Sequence, residues 1–476
     1  MDKRQSGGEK LLKNTGFFFV GTLGAKILTY LLIPFYTSIL STYEFGVCDT
    51  VFTTVSLIYP LFTLTIGEAV FRFSVDKEYD LKEVFSVGVK ITIIGFVFLC
   101  IVSPVVLVFD SFKPYIIVIL LYYLSTTLQV LLSQFVKAID KVAHYSISSI
   151  IGTFVILSAN IVFLKYWSMG ISGYLWAYTL GNIVMCLYLT LSCKLYEYIS
   201  FKKTNKTATY RKEMLKYSIP IIPNAASWWI STSSDKYILN FFSGLSVTGI
   251  YSVAYKIPSL MTLVSSVFLN AWQIAAVEEY SNAKKNEFYS NIYHNFSVLL
   301  ILIVSCLICG IKFVSAIMFS KDFFNAWKYV PILLMAYLFH DLANYLVSIY
   351  NASKETKQLF ISTLIGAITN IILNLVLIPL FSAMGAAVAT LISFFVVWLY
   401  RILTAKKIVD IDIHVTKFII NCFIISFQCI CVVSEIQILF FLSLFGEIFI
   451  LMINYRDLRT MFFKIIQIIT KRGDVK

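Results

Sequence analysis

The sequence predicts an all-α membrane protein whose chain crosses the bilayer 14 times. Of its 476 residues, 59% are hydrophobic and only 14% are charged, against roughly a quarter charged in soluble domains. The mean hydropathy of +0.82 agrees with this class. The apolar stretches are about 20 residues long, which suits helices that cross a bilayer better than the short, alternating strands of a membrane barrel.

Fourteen apolar segments are long enough to cross the membrane, and mostly short loops join them. They cover residues 13–38, 46–70, 87–109, 114–137, 145–165, 171–193, 217–241, 246–273, 293–318, 329–351, 359–381, 384–405, 415–433 and 436–454. Because so little of the chain lies outside these segments, no soluble domain is predicted.

The chain contains an internal repeat. Gly46 and Gly249 each follow a long apolar run and lie 203 positions apart, and Asn160 and Asn374 are related by a similar offset of 214. A repeat of this size in an apolar chain is typical of transporters built from two similar lobes. Because each lobe holds six spans, both begin on the same side of the membrane and form a parallel repeat.

The repeat predicts five parts along the chain. They are a first six-helix lobe at 1–200, a linker at 201–216, a second six-helix lobe at 217–405, two extra spans at 406–455 and a basic tail at 456–476. The extra spans have no counterpart in the first lobe.

The basic residues predict the orientation of the chain. The net charge is +13, and with fourteen spans 31 of the 39 Lys and Arg residues fall on one side of the membrane. Since cytoplasmic loops carry the excess of Lys and Arg, both termini are predicted to be cytoplasmic. Topology and membrane lipid headgroups account for the basic charge, so no nucleic-acid partner is predicted.

Four of the basic side chains within or at the ends of predicted spans are candidate binding residues, because a charge there is costly and normally faces a cavity or a partner. Lys26 and Lys256 lie near the middle of the first and eighth spans, Arg72 at the inner end of the second, and Lys236 toward the outer end of the seventh. They predict positive sites that bind phosphate or acidic sugar groups along a water-filled path. For Lys236, extension of the side chain to the outer interface is the alternative.

Four acidic side chains in predicted spans are candidates as well, two in the second span, one in the seventh and one near the middle of the tenth. They are Asp49, Glu68, Asp235 and Asp341, and we expect them to balance the bases or to bind a coupling proton or Na⁺. Two alternatives stay open: Glu68 has the i,i+4 spacing of a structural ion pair with Arg72, and Asp235 is a candidate partner for a neighbouring base.

No catalytic residue, metal site or cofactor is predicted. The phosphate-binding pattern Gly-x-x-x-x-Gly-Lys-Ser/Thr does not occur in the sequence, so ATP is not the expected energy source. An ion gradient, the membrane potential or consumption of the product is expected to drive transport instead.

Several stretches resemble one transporter family. They are Tyr43-Glu44-Phe45-Gly46, Ser234-Asp235-Lys236-Tyr237-Ile238-Leu239 and Gly249-Ile250-Tyr251-Ser252-Val253-Ala254-Tyr255-Lys256-Ile257. With these stretches, the chain resembles polysaccharide flippases of the Wzx type, in the multidrug/oligosaccharidyl-lipid/polysaccharide exporter superfamily. The resemblance covers nearly the whole chain.

The resemblance implies two six-helix lobes in a V with two extra helices. It implies a transporter, not an enzyme, that carries an undecaprenyl-diphosphate-linked oligosaccharide such as an O-antigen unit of lipopolysaccharide across the bacterial inner membrane by alternating access. Lys26, Arg72 and Lys256 fit by position the cationic lumen of such proteins. A polysaccharide polymerase and a chain-length regulator are the protein partners expected for this class.

Three rival functions are weighed against this one. A drug or cation antiporter on the same fold would prefer an acidic path, whereas two lysines lie at mid-span here. A membrane polymerase or glycosyltransferase needs room for a catalytic site, and the predicted outer loops of about ten residues offer none. A lipid II flippase differs only in its substrate, so this alternative stays open.

Overall fold

The chain is helical almost throughout. The computed structural model describes residues 24, 28–104, 110–200, 205–353 and 355–473, and within these ranges it contains no β-strand. Eleven helical stretches among the described residues are long and apolar enough to cross a membrane. The prediction of an all-α, multi-pass membrane protein is therefore confirmed.

The chain divides into two compact units, unit 1 at residues 1–229 and unit 2 at 230–476. Unit 1 contains α1 (Ile33–Ile39), α2 (Thr42–Phe62), α3 (Ile66–Val75), α4 (Leu81–Val102), α5 (Ile116–Ala138), α6 (Val142–Asn160), α7 (Gly170–Ser192) and α8 (Asn205–Ser218). The division falls within α9 (Ile222–Ala254). Unit 2 continues with α10 (Lys256–Glu279), α11 (Lys285–Cys309), α12 (Ile311–Met318), α13 (Val330–Ser353), α14 (Thr356–Ala405), α15 (Val415–Val433) and α16 (Gln437–Gly473).

Helix starts in unit 1 follow the local sequence. The Ser41 side chain accepts a hydrogen bond from the Glu44 backbone N–H (3.2 Å), and the Glu44 carboxylate accepts one from the Ser41 backbone N–H (2.9 Å). This capping box satisfies backbone donors that the first turn of α2 leaves without partners. At the start of α4, the Asp80 carboxylate accepts from the backbone N–H of Lys82 (2.8 Å).

The second predicted span, 46–70, is wrong in its inner part. α2 ends at Phe62, Leu64 and Thr65 have left-handed φ values of 52° and 49°, and α3 begins at Ile66. The end of α2 packs against Gly95 of α4, where an added Cβ would lie 2.0 Å from the Phe62 carbonyl oxygen. The break therefore lies next to a close contact with a helix distant in sequence, which the apolar sequence of α2 does not reveal.

The predicted linker at 201–216 is helical from Asn205 onward, as α8. Its Met214 side chain is fully buried and belongs to the same core as Ile66, Phe85 and Phe135 of α3, α4 and α5. The Thr65 hydroxyl also donates to the backbone oxygen of Ser218 at the end of α8 (2.7 Å). α8 thus packs against α3, α4 and α5 within unit 1.

Helix α13 is the central helix of unit 2. Most of its side chains are buried, including the fully buried Leu334, Leu342 and Ile349, and it packs against α10, α11, α14 and α15. A helix that is apolar nearly all round is expected at such a position.

Two long helical stretches contain breaks. Within α9, Gly244 has φ 82°, and within α14, Ser382 has φ 52° and ψ −132°. These residues lie at the predicted turns between spans, 241–246 and 381–384, and the Ser382 hydroxyl donates to Ser243 Oγ (2.8 Å).

The first predicted span lies largely outside the described residues, so the count of fourteen and the side of each terminus stay predictions.

Polar side chains join the last two helices, α15 and α16, to the other helices of unit 2. The buried Ser305 hydroxyl of α11 contacts both Gln428 of α15 (2.9 Å) and the Glu447 carboxylate of α16. Glu435, in the turn between α15 and α16, pairs with Lys328, which precedes α13 (2.6 Å). This hydrogen bond lowers the pKa of the Glu435 carboxyl. α16 continues as a helix to Gly473, through most of the predicted tail.

The contact at Gly95 gives a test of the packing in unit 1. We expect Gly95→Ala to lower the free energy of unfolding by about 1–3 kcal/mol, because a methyl group there meets backbone atoms that cannot move aside. Thermal unfolding in detergent measures the change. The matched control is Gly310→Ala, where the nearest atom to an added Cβ is 3.4 Å away. Equal stability of the two variants would contradict the close contact.

Candidate functional site

A buried carboxylate in α9 is the centre of a polar cluster in unit 2. Asp235 is only 2% exposed. Its Oδ2 accepts hydrogen bonds from the hydroxyls of Tyr255 (2.7 Å) and Tyr251 (3.0 Å), and its Oδ1 accepts one from the backbone N–H of Lys236 (2.9 Å). Tyr251 and Tyr255 are one helical turn apart, so both hydroxyls reach the same oxygen. Three donors thus compensate the burial of this acid.

The cluster extends from Asp235 to a second helix. The Tyr255 hydroxyl lies 3.2 Å from Thr390 Oγ1 of α14. The Lys236 ammonium lies 5.8 Å from the centroid of the Tyr255 ring, within the range of a cation–π contact. The cluster therefore combines a carboxylate, a base and two tyrosines of residues 235–255 with a threonine of α14.

Next to this acid lies a row of amides on α14. The Ser234 hydroxyl and the Asn374 amide both donate to Asn370 Oδ1, at 3.1 and 2.8 Å. The Asn374 side-chain oxygen is buried and has no hydrogen-bond partner among the described residues. An unsatisfied acceptor in this apolar environment is costly, and a proton donor or a cation would satisfy it.

A second buried acid lies on α13. Asp341 is fully buried, and its Oδ1 lies 2.9 Å from His340 Nδ1 and 3.5 Å from the Thr262 hydroxyl of α10. Asp341 Oδ2 has no hydrogen-bond partner among the described residues. Adjacent helical side chains normally diverge, but here the His340 ring turns back to the carboxylate. The pair therefore combines a carboxylate oxygen without a donor, on Asp341, with the imidazole of His340 beside it.

An aromatic column lies between the two acids. The Tyr337 ring is 6.0 Å from the Tyr255 ring and 5.4 Å from the His340 ring, centroid to centroid. Asp235, Tyr255, Tyr337, His340 and Asp341 thus follow one another through contacts inside unit 2. Among the described residues, no group of three or more His, Cys, Asp or Glu side chains is arranged to hold a metal ion.

Of the four predicted bases, two lie near this cluster in the chain. Lys236 follows Asp235, and Lys256 is the first residue of α10, directly after Tyr255. Both side chains are partly buried. Lys26 lies outside the described residues.

Arg72 and Glu68 do not pair with each other as their spacing predicts. The Arg72 guanidinium is 56% exposed and lies 3.7 Å from the Asp76 carboxylate. The Glu68 carboxylate accepts a hydrogen bond from the Gln134 amide (2.8 Å). The partners come from the next turn of the chain and from α5, so the two charges are held separately.

The remaining predicted acid, Asp49, is buried in α2 of unit 1. Near it in sequence, the Phe52 ring stacks on Tyr174 (5.5 Å) and meets Tyr178 edge to face (4.7 Å). These contacts place Asp49 on a helix packed against the aromatic side chains of α7.

Two buried charges were missed at the sequence level. Arg401, near one end of the predicted span 384–405, is 4% exposed within α14 and donates to the Ala343 backbone oxygen (3.0 Å) and to Ser362 (2.9 Å). Glu447, which contacts Ser305, was overlooked although it stands in the apolar run of the last predicted span. An acid in such a run is the signal that should have identified it.

Comparisons with known proteins agree with the membrane fold. The family model described as "Polysaccharide biosynthesis protein" matches residues 11–273. An uncharacterized membrane protein of Methanocaldococcus jannaschii is 23% identical over 426 residues, covering 83% of this chain and 99% of that protein. A second uncharacterized membrane protein of this organism is 26% identical over 253 residues, covering 49% of this chain and 47% of its own length.

Two solved structures share the fold. The lipid II flippase MurJ in an inward closed conformation superposes with a TM-score of 0.71 at 17% identity, covering 93% of this chain and 99% of MurJ. An inward-facing multidrug resistance MATE family transporter of the MOP superfamily gives a TM-score of 0.61 at 13% identity, covering 80% and 97%. At these identities the likeness shows the fold alone.

The hydrogen bond from Tyr255 to Asp235 can be tested by removing one oxygen atom. We expect Tyr255→Phe to lower the free energy of unfolding by about 1 kcal/mol, because the buried carboxylate loses a donor that hydrocarbon does not replace. The control is Tyr329→Phe, whose ring lies 6.2 Å from Tyr251 and whose hydroxyl is not bonded to Asp235. Thermal unfolding in detergent compares them, and equal losses would show that Tyr255 contributes only its ring.

Proposed function

Because the chain belongs to the polysaccharide biosynthesis protein family, we propose that it is a flippase that moves an undecaprenyl-diphosphate-linked oligosaccharide across a bacterial inner membrane. The match to that family over residues 11–273 carries the proposal. The membrane-spanning helices support it, since a glycan that is built on a membrane lipid needs a transporter to reach the opposite leaflet. Its sugar and diphosphate groups are too polar to cross hydrocarbon unaided.

The chemistry of such a substrate explains the basic residues. A diphosphate is a strong acceptor of charged hydrogen bonds, and Lys and Arg side chains are its usual partners in proteins. We assign this role to Lys26, Arg72, Lys236 and Lys256. The position of Lys236 directly after the buried Asp235 supports the assignment for this base, because an acidic neighbour balances it when no substrate is bound. Lys256 follows Tyr255, whose hydroxyl donates to the same carboxylate.

The acidic residues are proposed to couple transport to an ion. Asp235 and Asp341 are buried in unit 2, and one oxygen of Asp341 has no partner among the described residues. A proton or Na⁺ would neutralise either carboxylate, and its release would restore the charge. Asp49 and Glu68 are proposed to balance the bases of unit 1. The internal repeat supports alternating access as the mode of transport.

The product of this reaction is a lipid-linked oligosaccharide in the outer leaflet. An enzyme that joins such units must then consume it, which makes a polysaccharide polymerase and a chain-length regulator the proposed partners. Which polysaccharide is built depends on the glycan that the substrate carries, and O-antigen is the proposed class.

The role of Lys256 can be tested in cells. We expect Lys256→Ala to reduce surface polysaccharide at least about tenfold, the effect of losing one charged hydrogen bond of roughly 1.5–3 kcal/mol, while membrane-inserted protein stays at the wild-type level. Lys256→Arg should retain part of the activity because it keeps the charge. Immunoblots and polysaccharide gels measure both quantities.

The control for this test is Lys212→Ala, since Lys212 is an exposed base on α8. Wild-type polysaccharide in Lys256→Ala cells, or an equal loss in Lys212→Ala cells, would contradict a substrate-binding role for Lys256.

A further inference from the structure

A groove runs along the surface of unit 2 where α13, α14 and α15 meet. Its volume is about 550 Å³. Buried aromatic rings form its floor: Trp398 lies 5.4 Å from Phe339 and 5.1 Å from Phe418, centroid to centroid. The Trp398 indole N–H donates to the Tyr293 hydroxyl (2.9 Å), so the floor has no unsatisfied indole donor. The groove thus has a firm aromatic base.

The rims of the groove are apolar and exposed. Ile419 is 59% exposed, and Leu403 and Phe423 are also well exposed. All three helices are long and apolar enough to span a membrane. Around such helices the surrounding medium is hydrocarbon, so the natural occupant of the groove is a lipid chain.

One end of the groove carries a charge. Lys406 lines it directly after the membrane-spanning stretch that ends at Ala405. At that position the ammonium group reaches the level of the lipid headgroups. Lys406 forms no ion pair with any described residue. A basic group at the membrane edge of a cleft between helices favours an anionic headgroup.

The dimensions of the groove fit one acyl chain. From Phe395 to Lys406 the α14 wall rises about 16 Å at 1.5 Å per residue, and the α15 wall from Val415 to Ser426 rises about as far. This is half of a hydrocarbon core about 30 Å thick, which is the depth of one leaflet.

We propose that this groove binds one acyl chain of an anionic phospholipid whose headgroup phosphate contacts Lys406. The bound chain fills the cleft between α15 and the helices α13 and α14, and so supports the packing of the first extra helix. The undecaprenyl chain of the proposed transport substrate is far longer than the groove, which argues against it as the occupant. The proposal therefore does not depend on the proposed flippase function.

Native mass spectrometry of the purified full chain tests the proposal, with phosphatidylglycerol and phosphatidylcholine as probes. Wild-type protein should retain one phospholipid per chain and prefer phosphatidylglycerol about fivefold, the contribution of one lysine near a headgroup. Lys406→Gln should bring the preference close to parity. Ile419→Trp should fill the groove and remove the retained lipid.

Two control variants change nearby surfaces outside the groove. Lys407→Gln removes the adjacent exposed lysine, and Ile438→Trp enlarges an exposed apolar side chain on α16. Both should retain lipid as the wild-type protein does.

Three results would overturn the proposal: wild-type protein without retained phospholipid, equal retention by Ile419→Trp and Ile438→Trp, or undecaprenyl phosphate as the retained lipid. If Ile419→Trp fails to fold, the headgroup preference of Lys406→Gln decides the question by itself. An unchanged preference in that variant would then contradict the proposal.

Discussion

Hydrocarbon offers no hydrogen-bond partners, and this constraint determines how unit 2 arranges its buried polar groups. Asp235 takes three donors from α9 and from the residue that follows it, and Arg401 donates to acceptors on α13 and α14. Ser305 connects α11 to both extra helices in the same way. Asp341 Oδ2 and Asn374 Oδ1 are buried acceptors to which no described residue donates. At these points a proton or a cation would satisfy the structure.

The sequence predicts most of the fold because the bilayer imposes simple rules on it. Apolar length predicted the helices, and the breaks near Gly244 and Ser382 lie where the predicted spans end. The break between α2 and α3 was missed because Leu64 and Thr65 look ordinary in sequence. Their backbone conformation accompanies packing of α2 against Gly95, a contact that only the folded chain reveals.

The candidate site was predictable in its residues but less so in its contacts. A charge in an apolar run is visible in any sequence, and for this reason the sequence predicts Asp235 and Asp341 as candidate residues. Their partners Tyr255, Thr262 and His340 are set by the rotation and packing of helices. The same limit explains Arg72, whose observed partner lies one turn further along the chain.

A charge asymmetry between the halves of the repeat links these observations to function. The predicted repeat relates the two halves of the sequence, whereas Lys26 and Lys256 correspond to Trp229 and Thr53 at the 203-residue offset. Matching charged sites in the two halves would suit a substrate whose two ends are alike. The unequal charges suit the proposed substrate, which has one polar end and one lipid end.

The most direct measurement uses purified protein in liposomes that contain a labelled undecaprenyl-diphosphate-linked oligosaccharide. A glycan-cleaving enzyme added outside reports how much substrate has crossed from the inner leaflet. Our account predicts that liposomes with the protein expose nearly all of the label, while protein-free liposomes expose only the outer half. Equal exposure in both, or transfer of lipid II with none of the oligosaccharide substrate, would contradict it.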